Sequence, residues 1–248
     1  MEEQYKSALE ILKKQDINGC ITGSYMLGYH EGWNQDIDLF VFDQSSLNKI
    51  LFFMHYNPMF QILDPMEKHK FNDLINNGKS SLDNIGLITI KFKYNLLIDI
   101  NIVFKKFQKN VFDVISNFDI SIIAKGYDIK TGQTLDLSGY NGDKIVTWNK
   151  WNPTFYKADF WNIKRILRQF ERITKYTNRG YDLTEVTDKY ISLVEEIVST
   201  SNFYKSEKGV KYFEDTIEQF QIVLKILKLW KKDGKISESE LLTLKTLI

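Results

Sequence analysis

The stretch that decides the fold reads Cys20-Ile-Thr-Gly23-Ser24-Tyr-Met-Leu-Gly28 and, after a spacer, Asp36-Ile-Asp38-Leu-Phe-Val-Phe42. Its first residues predict a strand, which Gly23-Ser24 turns tightly into a short helix. A second apolar strand then begins with two acids one residue apart. Residues i and i+2 of a strand point to the same side, so Asp36 and Asp38 face one spot. Two carboxylates held there repel each other and cost stability unless a cation lies between them.

A hard, oxygen-liganded ion such as Mg²⁺ suits this pair, and it is usually shared with substrate phosphates. The helix start at Gly23-Ser24 offers backbone N–H donors to those phosphates. A metal site beside a phosphate cradle points to phosphoryl or nucleotidyl transfer. In order, spacing and flanking strands, these residues resemble the signature of the DNA polymerase beta-like nucleotidyltransferase superfamily. That signature is an apolar residue, Gly, Gly or Ser, a short spacer, and then Asp-apolar-Asp-apolar. The resemblance covers roughly the first half of the chain.

The resemblance implies Mg²⁺-dependent transfer of an NMP from an NTP, ATP among them, with Gly23 and Ser24 on the phosphates. It also implies a third carboxylate on a later strand, in an apolar-acid-apolar setting. Leu96-Leu97-Ile98-Asp99-Ile100-Asn101-Ile102-Val103 fits that setting, and an acid inside an apolar strand is costly to bury unless paired or metal-bound. Asp99 is therefore the expected third ligand, and Asp119, in Phe118-Asp119-Ile-Ser121, is the alternative. Asp36 and Asp38 are expected to bridge two Mg²⁺ ions, with Asp99 on the second and able to act as base. Two such ions clamp the attacking and leaving oxygens, so most of the catalysis is positioning and charge neutralisation.

At 248 residues the chain has room for one or two domains with a substantial core. Hydrophobic residues make up 43% and charged residues 26%, the balance of a globular protein. The net charge is +1, so a basic surface for nucleic acid has to be local. Cys20 is alone, cannot form an internal disulfide, and reads as a small core residue rather than a nucleophile. No signal peptide and no bilayer-length apolar run are apparent, which predicts a cytoplasmic protein with no membrane partner.

Apolar spacing predicts a helix over 3–14, and Ser45-Ser46 predicts the cap of another through about Met54. Pro58, Pro65 and several Asn and Gly residues make 56–84 read as short pieces joined by loops. Gly86–Phe92 and Leu96–Phe104 read as a hairpin around Lys93-Tyr94-Asn95. A short helix near 108–117 and a strand over 118–124 follow, and 126–152 reads as an extended connection. Beyond Pro153 only helices are expected, one with a stripe of Val210, Phe213, Ile217, Phe220, Leu224, Leu227 and Trp230. Ser237 and Glu240 predict a capping box for the last. The expected class is α+β: a nucleotidyltransferase-like mixed-sheet catalytic half over 1–150, then an α-helical substrate- or nucleotide-binding half over 151–248.

The helical half carries a second signal. Every arginine of the chain, Arg165, Arg168, Arg172 and Arg179, lies in one short segment, and with Lys175 they share one helical face. Ile166, Phe170, Ile173 and Thr177 fall on the opposite, core-facing side. The planar guanidinium binds phosphate bidentately, which lysine cannot do. Arg165, Arg168 and Arg172 are thus candidates to grip the triphosphate, a nucleic-acid backbone, or both. Aromatics nearby, Trp148, Trp151, Phe155, Tyr156, Trp161, Tyr176 and Tyr181, are candidates for base stacking or core. The favoured acceptor is an RNA 3′ end such as that of tRNA. A protein or small-molecule acceptor, as in toxin-like and antibiotic-modifying members, stays open, as does an inactive nucleotide-binding module.

Three other patterns carry no site. Gly78-Lys79-Ser80 lacks the first glycine of a P-loop, whose place Asp73 takes. The segment ending in Glu240 offers Leu229 and Lys231 where an EF-hand needs acids. His30, His55 and His69 have no zinc-like spacing with Cys20.

Overall fold

The computed structural model describes residues 1–28, 30, 35–77, 86–139, 144–152, 163–208, 214–233 and 238–246. The chain divides into two compact units, Met1–Gly139 and Tyr140–Ile248. The division falls before the expected boundary at 150, so residues 140–150 go with the second unit.

The first unit runs α1 (Glu2–Lys13), β1 (Gly19–Thr22), a 3-10 helix (Ser24–Leu27), β2 (Ile37–Val41), α2 (Gln44–Tyr56), β3 (Phe60–Gln61) and α3 (Pro65–Asn77). It continues with β4 (Leu87–Tyr94), β5 (Ile98–Lys105), α4 (Val111–Ile115), a second 3-10 helix (Ser121–Ile123), β6 (Lys125–Asp128) and β7 (Thr134–Asp136). The strands form one seven-stranded mixed sheet in the order β3-β4-β5-β2-β1-β6-β7. Neighbouring strands are antiparallel except for β2 and β5 at the centre, which run parallel. The architecture is mixed α/β.

Side-chain alternation gives the sheet two unlike faces. Ile21, Ile37, Leu39, Val41, Ile90, Phe92, Ile98, Ile100 and Ile102 share one face with the buried sides of α1 and α2. Each fully buried Leu or Ile side chain contributes about 1.5–3 kcal/mol, so this layer holds the unit together. On the other face Cys20, Phe40 and Val103 meet Val111, Val114 and Ile115 of α4. Thr22, Asp38, Lys91, Lys93, Asp99 and Asn101 lie on the same face by register. Burial also pushes the Cys20 thiol far above its ordinary range, in keeping with a core role.

Several local expectations are corrected. The cap of α2 is Asp43, which accepts the Ser46 N–H at 2.7 Å, while Ser46 Oγ accepts the Asn18 N–H at 2.8 Å. Burial raises the Asp43 pKa, but the hydrogen bonds from Ser46 and Asn18 outweigh it and hold the carboxyl below its usual range. Pro65 does not break the chain: it opens α3 behind Asp64, whose carboxylate accepts the Met66 N–H at 2.7 Å. Proline suits the first helical turn because its missing N–H has no partner there anyway.

The hairpin turn lies later than expected, at Asn95–Leu97, because the Tyr94 ring is fully buried and keeps Tyr94 in the strand. Asn95 and Leu96 take positive φ, 48° and 61°; asparagine tolerates that region and leucine does so only under constraint. The apolar run at 118–124 is a 3-10 turn rather than a strand, an ambiguity inherent in short apolar runs. The connection at 126–152 contains the β6–β7 hairpin.

The second unit is helical, with α5 (Ile163–Asn178), α6 (Thr184–Lys208), α7 (Glu214–Asp233) and α8 (Glu238–Thr246). Asp182 starts α6, accepting the Thr184 N–H at 2.9 Å and its hydroxyl at 2.7 Å. Fully buried Tyr190 on α6 donates its hydroxyl to the Ile166 carbonyl of α5 at 2.6 Å. Phe220, Val223 and Leu227 form the buried side of α7. Val210, Phe213 and Ser237 lie outside the described residues, as do Phe155, Tyr156 and Trp161 and the Gly78-Lys79-Ser80 segment.

Among the described residues, no helix is long and apolar enough to cross a membrane.

Candidate active site

Asp36 immediately precedes β2 and Asp38 lies within it, both half-buried. Asp38 is flanked in register by Thr22 of β1 and Asn101 of β5. Cross-strand partners project to the same face, so Thr22, Asp38 and Asn101 share the face on which α4 packs. Asn101 joins the two acids: its Nδ2 donates to Asp36 Oδ2 at 2.9 Å and to Asp38 Oδ1 at 2.8 Å. The expected convergence of Asp36 and Asp38 is therefore present, with an amide N–H₂ between them.

Gly23 is held against this pair. Its φ of 90° and ψ of −167° lie in a region open essentially only to glycine. A Cβ there would stand 2.4 Å from Asp38 Oδ2. The turn and the acid are thus packed in contact, and glycine is required twice over, for its torsion and for space. The 3-10 helix beginning at Ser24 is four residues long, the short helix expected after the turn.

Three oxygens beside Asp38 are buried without a hydrogen-bond partner: Thr22 Oγ1, Ser24 Oγ and Asn101 Oδ1. Thr22 is fully buried, Ser24 is 5% exposed and Asn101 9%. Each unsatisfied buried polar group costs about 1–3 kcal/mol. Two carboxylates with three unsatisfied oxygens on the flanking residues are a donor set that fits a hard cation and an anion bound to it.

Asp99 is placed differently from the pair. It stands on the same face of β5, two residues before Asn101, but forms an ion pair with Lys93 of β4 at 2.7 Å. Asp119 lies between α4 and the second 3-10 helix, where its carboxylate accepts the N–H of Ile120 at 2.9 Å. Among the described residues no three His, Cys, Asp or Glu side chains are grouped to hold a metal ion. The structure brings Asp36, Asp38, Gly23 and Ser24 together and sets Asp99 on Lys93.

Sequence reasoning missed Gln35, which ties Ser24, Gly28 and His30 together beside the acids. Fully buried, it donates from Nε2 to the carbonyls of Ser24 at 3.1 Å and Gly28 at 2.8 Å. Its Oε1 accepts the His30 N–H at 3.0 Å, and its own carbonyl accepts the hydroxyl of Tyr5, whose ring stacks on Tyr25. Gln35→Ala removes a donor from two carbonyls, so it is expected to cost about 2–4 kcal/mol and lower the melting temperature by roughly 5–12 °C. Thermal melts measure this, and a shift below about 2 °C would show that these hydrogen bonds contribute little to stability.

Thr22 and Asn101 were also missed as site residues. Asn101 left a visible signal, a second polar residue on the same face as Asp99 in an otherwise apolar strand. Lys91 is exposed opposite Asn101 on that face and brings a cation to the site's edge.

In the second unit α5 separates its residues largely as expected. Ile166, Phe170 and Ile173 are buried, Arg168 and Lys175 are exposed, and Arg172 is half-buried. Two details differ: Thr177 is exposed, and Arg179 lies past the helix end with its guanidinium 5.3 Å from the centre of the Tyr176 ring. That contact ties Arg179 to the packing of the helix end. Arg165 is on the same helix, and its side chain lies outside the described atoms. Trp148 and Tyr176 are buried, Tyr181 is half-buried and Trp151 is exposed, so Trp148 and Tyr176 belong to the core rather than to a stacking platform.

No protein-family model, curated protein or solved structure matches this chain.

Proposed function

We propose that the Asp36–Asp38 pair is the centre of a Mg²⁺-dependent nucleotidyltransferase that moves an NMP from an NTP onto an acceptor. The observation that supports this best is the pair of converging acids at a Gly-Ser turn, surrounded by buried oxygens with no partner. Asp36 and Asp38 hold the metal in this reading. A bound Mg²⁺ supplies charge neutralisation on the phosphates and a lowered pKa for the attacking hydroxyl. Gly23 keeps the turn flush against Asp38, the Ser24 hydroxyl donates to a phosphate oxygen, and Lys91 attracts the anionic substrate. Asp99 is the third carboxylate and base of the scheme once its ion pair with Lys93 opens.

An RNA 3′ end, such as that of tRNA, is the acceptor we favour, on the strength of Arg168 and Arg172 along α5. Nucleotidylylation of a protein or a small molecule is the alternative. A second reading, an inactive nucleotide-binding module, is favoured by one observation: the Lys93–Asp99 ion pair leaves the two acids without a third. Pyrophosphate release from each NTP with Mg²⁺ and total RNA separates the two, since a binding module retains nucleotide without turnover.

Binding that neutralises backbone phosphates weakens with salt, with a slope near −0.7 per contact on single strands. Arg168→Gln is expected to flatten that slope by about 0.7, and Arg168→Lys to give an intermediate result because the charge returns without the fork. If RNA affinity is unchanged and the KM for NTP rises instead, the helix grips triphosphate. If neither changes, α5 presents an ordinary solvated face and the RNA acceptor is withdrawn.

A further inference from the structure

We infer that Asn101 has two roles at the acidic pair: its amide N–H₂ bridges Asp36 and Asp38 when no cation is present, and the amide turns over to offer Oδ1 as a neutral third ligand when a single divalent cation enters. This rests on reading the pair as a cation site, and it goes beyond that reading in assigning a neutral ligand to the first ion and in counting the ions; Asp99, the third carboxylate of the proposed reaction, is left for a second ion.

The bridging role is on view. Nδ2 reaches Asp36 Oδ2 at 2.9 Å and Asp38 Oδ1 at 2.8 Å, placing both amide protons against negative oxygens. Those protons take the place a cation would otherwise fill and relieve the repulsion between the acids. The other half of the amide is unsatisfied: Oδ1 is buried without a partner, on a residue only 9% exposed. A half-turn about χ2, a broad and nearly two-fold torsion in asparagine, exchanges the two atoms. The carbonyl oxygen then stands where the N–H₂ stood, and amide carbonyls are ordinary ligands of hard cations. One residue thus serves both states, the flip leaving Nδ2 in place of Oδ1 in the unpartnered buried position.

The ion count follows from charge. Two carboxylates and a neutral carbonyl carry −2, which one divalent ion balances. Asp99, the acid two positions earlier on the same strand, does not add to this total because it is engaged with Lys93 at 2.7 Å. A second ion therefore has to bring its own anions, such as the phosphates of a nucleotide.

The test uses Mn²⁺ alone, counted by its EPR signal, with thermal melts of the full chain in EDTA. Wild type is expected to bind one Mn²⁺ per chain. Asn101→Asp preserves the shape but adds a third negative charge and removes the bridging protons. It is expected to bind Mn²⁺ at least about tenfold more tightly and to melt about 5 °C lower in EDTA. Asn101→Ala is expected to bind about tenfold more weakly. The opposite signs in Asn101→Asp separate this role from a purely structural one, which would weaken both properties. Wild-type Mn²⁺ affinity and melting in Asn101→Asp, two Mn²⁺ per wild-type chain without nucleotide, or no Mn²⁺ uptake at all would each overturn the inference. Asp38→Asn tells the two levels apart. If it keeps wild-type uptake, the ion lies elsewhere and the cation-site reading falls as well. If it loses uptake while Asn101→Asp behaves as wild type, only the role of Asn101 fails.

Discussion

Asp38→Asn is expected to reduce nucleotidyl transfer by at least about 10²–10³-fold while leaving the melting temperature unchanged or slightly higher. The amide has the shape of the carboxylate, so the register with Thr22 and Asn101 and the contact with Gly23 all survive. What is lost is one of the two negative charges on which the proposed cation site depends. In the cation-free protein the new amide oxygen can still accept from Asn101 Nδ2, and the lost charge removes whatever repulsion that bridge leaves between Asp36 and Asp38, which is why stability does not fall. Turnover and thermal melts on the same preparation measure both. Wild-type turnover at saturating Mg²⁺ would remove Asp38 from the metal site.

Gly23→Ala is expected to lose activity to a similar degree, and for a different reason that the melt exposes. Alanine at φ 90° is strained by about 1–3 kcal/mol. Its Cβ would also stand 2.4 Å from Asp38 Oδ2, so the carboxylate has to move. The turn and the acid cannot both keep their places. The combined cost is expected near 3 kcal/mol, a fall in melting temperature of about 6–12 °C, together with loss of transfer. A variant that melts like wild type would mean that the turn relaxes freely and that its contact with Asp38 is incidental. The pair of variants is informative as a set, since Asp38→Asn separates activity from stability and Gly23→Ala couples them.

The elements nearest the site were the most legible in the sequence, because their signals are local. A glycine at a positive-φ turn, an i, i+2 pair of acids at a strand start and two β-rich runs around an asparagine each constrain a few residues strongly. The order of strands in the sheet was not legible. That β5 rather than β4 lies beside β2 depends on pairing between distant segments, and it decides which side chain meets Asp38. The apolar setting of Asp99 was legible in the sequence, but its ion pair with Lys93 was not. In the folded sheet, register places Asn101 opposite Asp38 and Lys93 opposite Asp99. Composition misled at Pro65, where a residue read as a breaker starts a helix. It misled again at 126–152, where glycines and aspartates belong to the β6–β7 turn as much as to a loop. Gln35 gave no signal, since a buried glutamine is recognised only by the carbonyls it reaches.

The most direct measurement is transfer of label from α-phosphate-labelled NTPs, each in turn, to total cellular RNA or protein, with Mg²⁺ and with EDTA. Wild type is expected to label one acceptor class with release of pyrophosphate, in Mg²⁺ only, and Asp38→Asn to label neither. Labelling that survives in Asp38→Asn, or no transfer and no pyrophosphate from any NTP with either acceptor, would contradict the assignment of Asp36 and Asp38 as the centre of a nucleotidyltransferase.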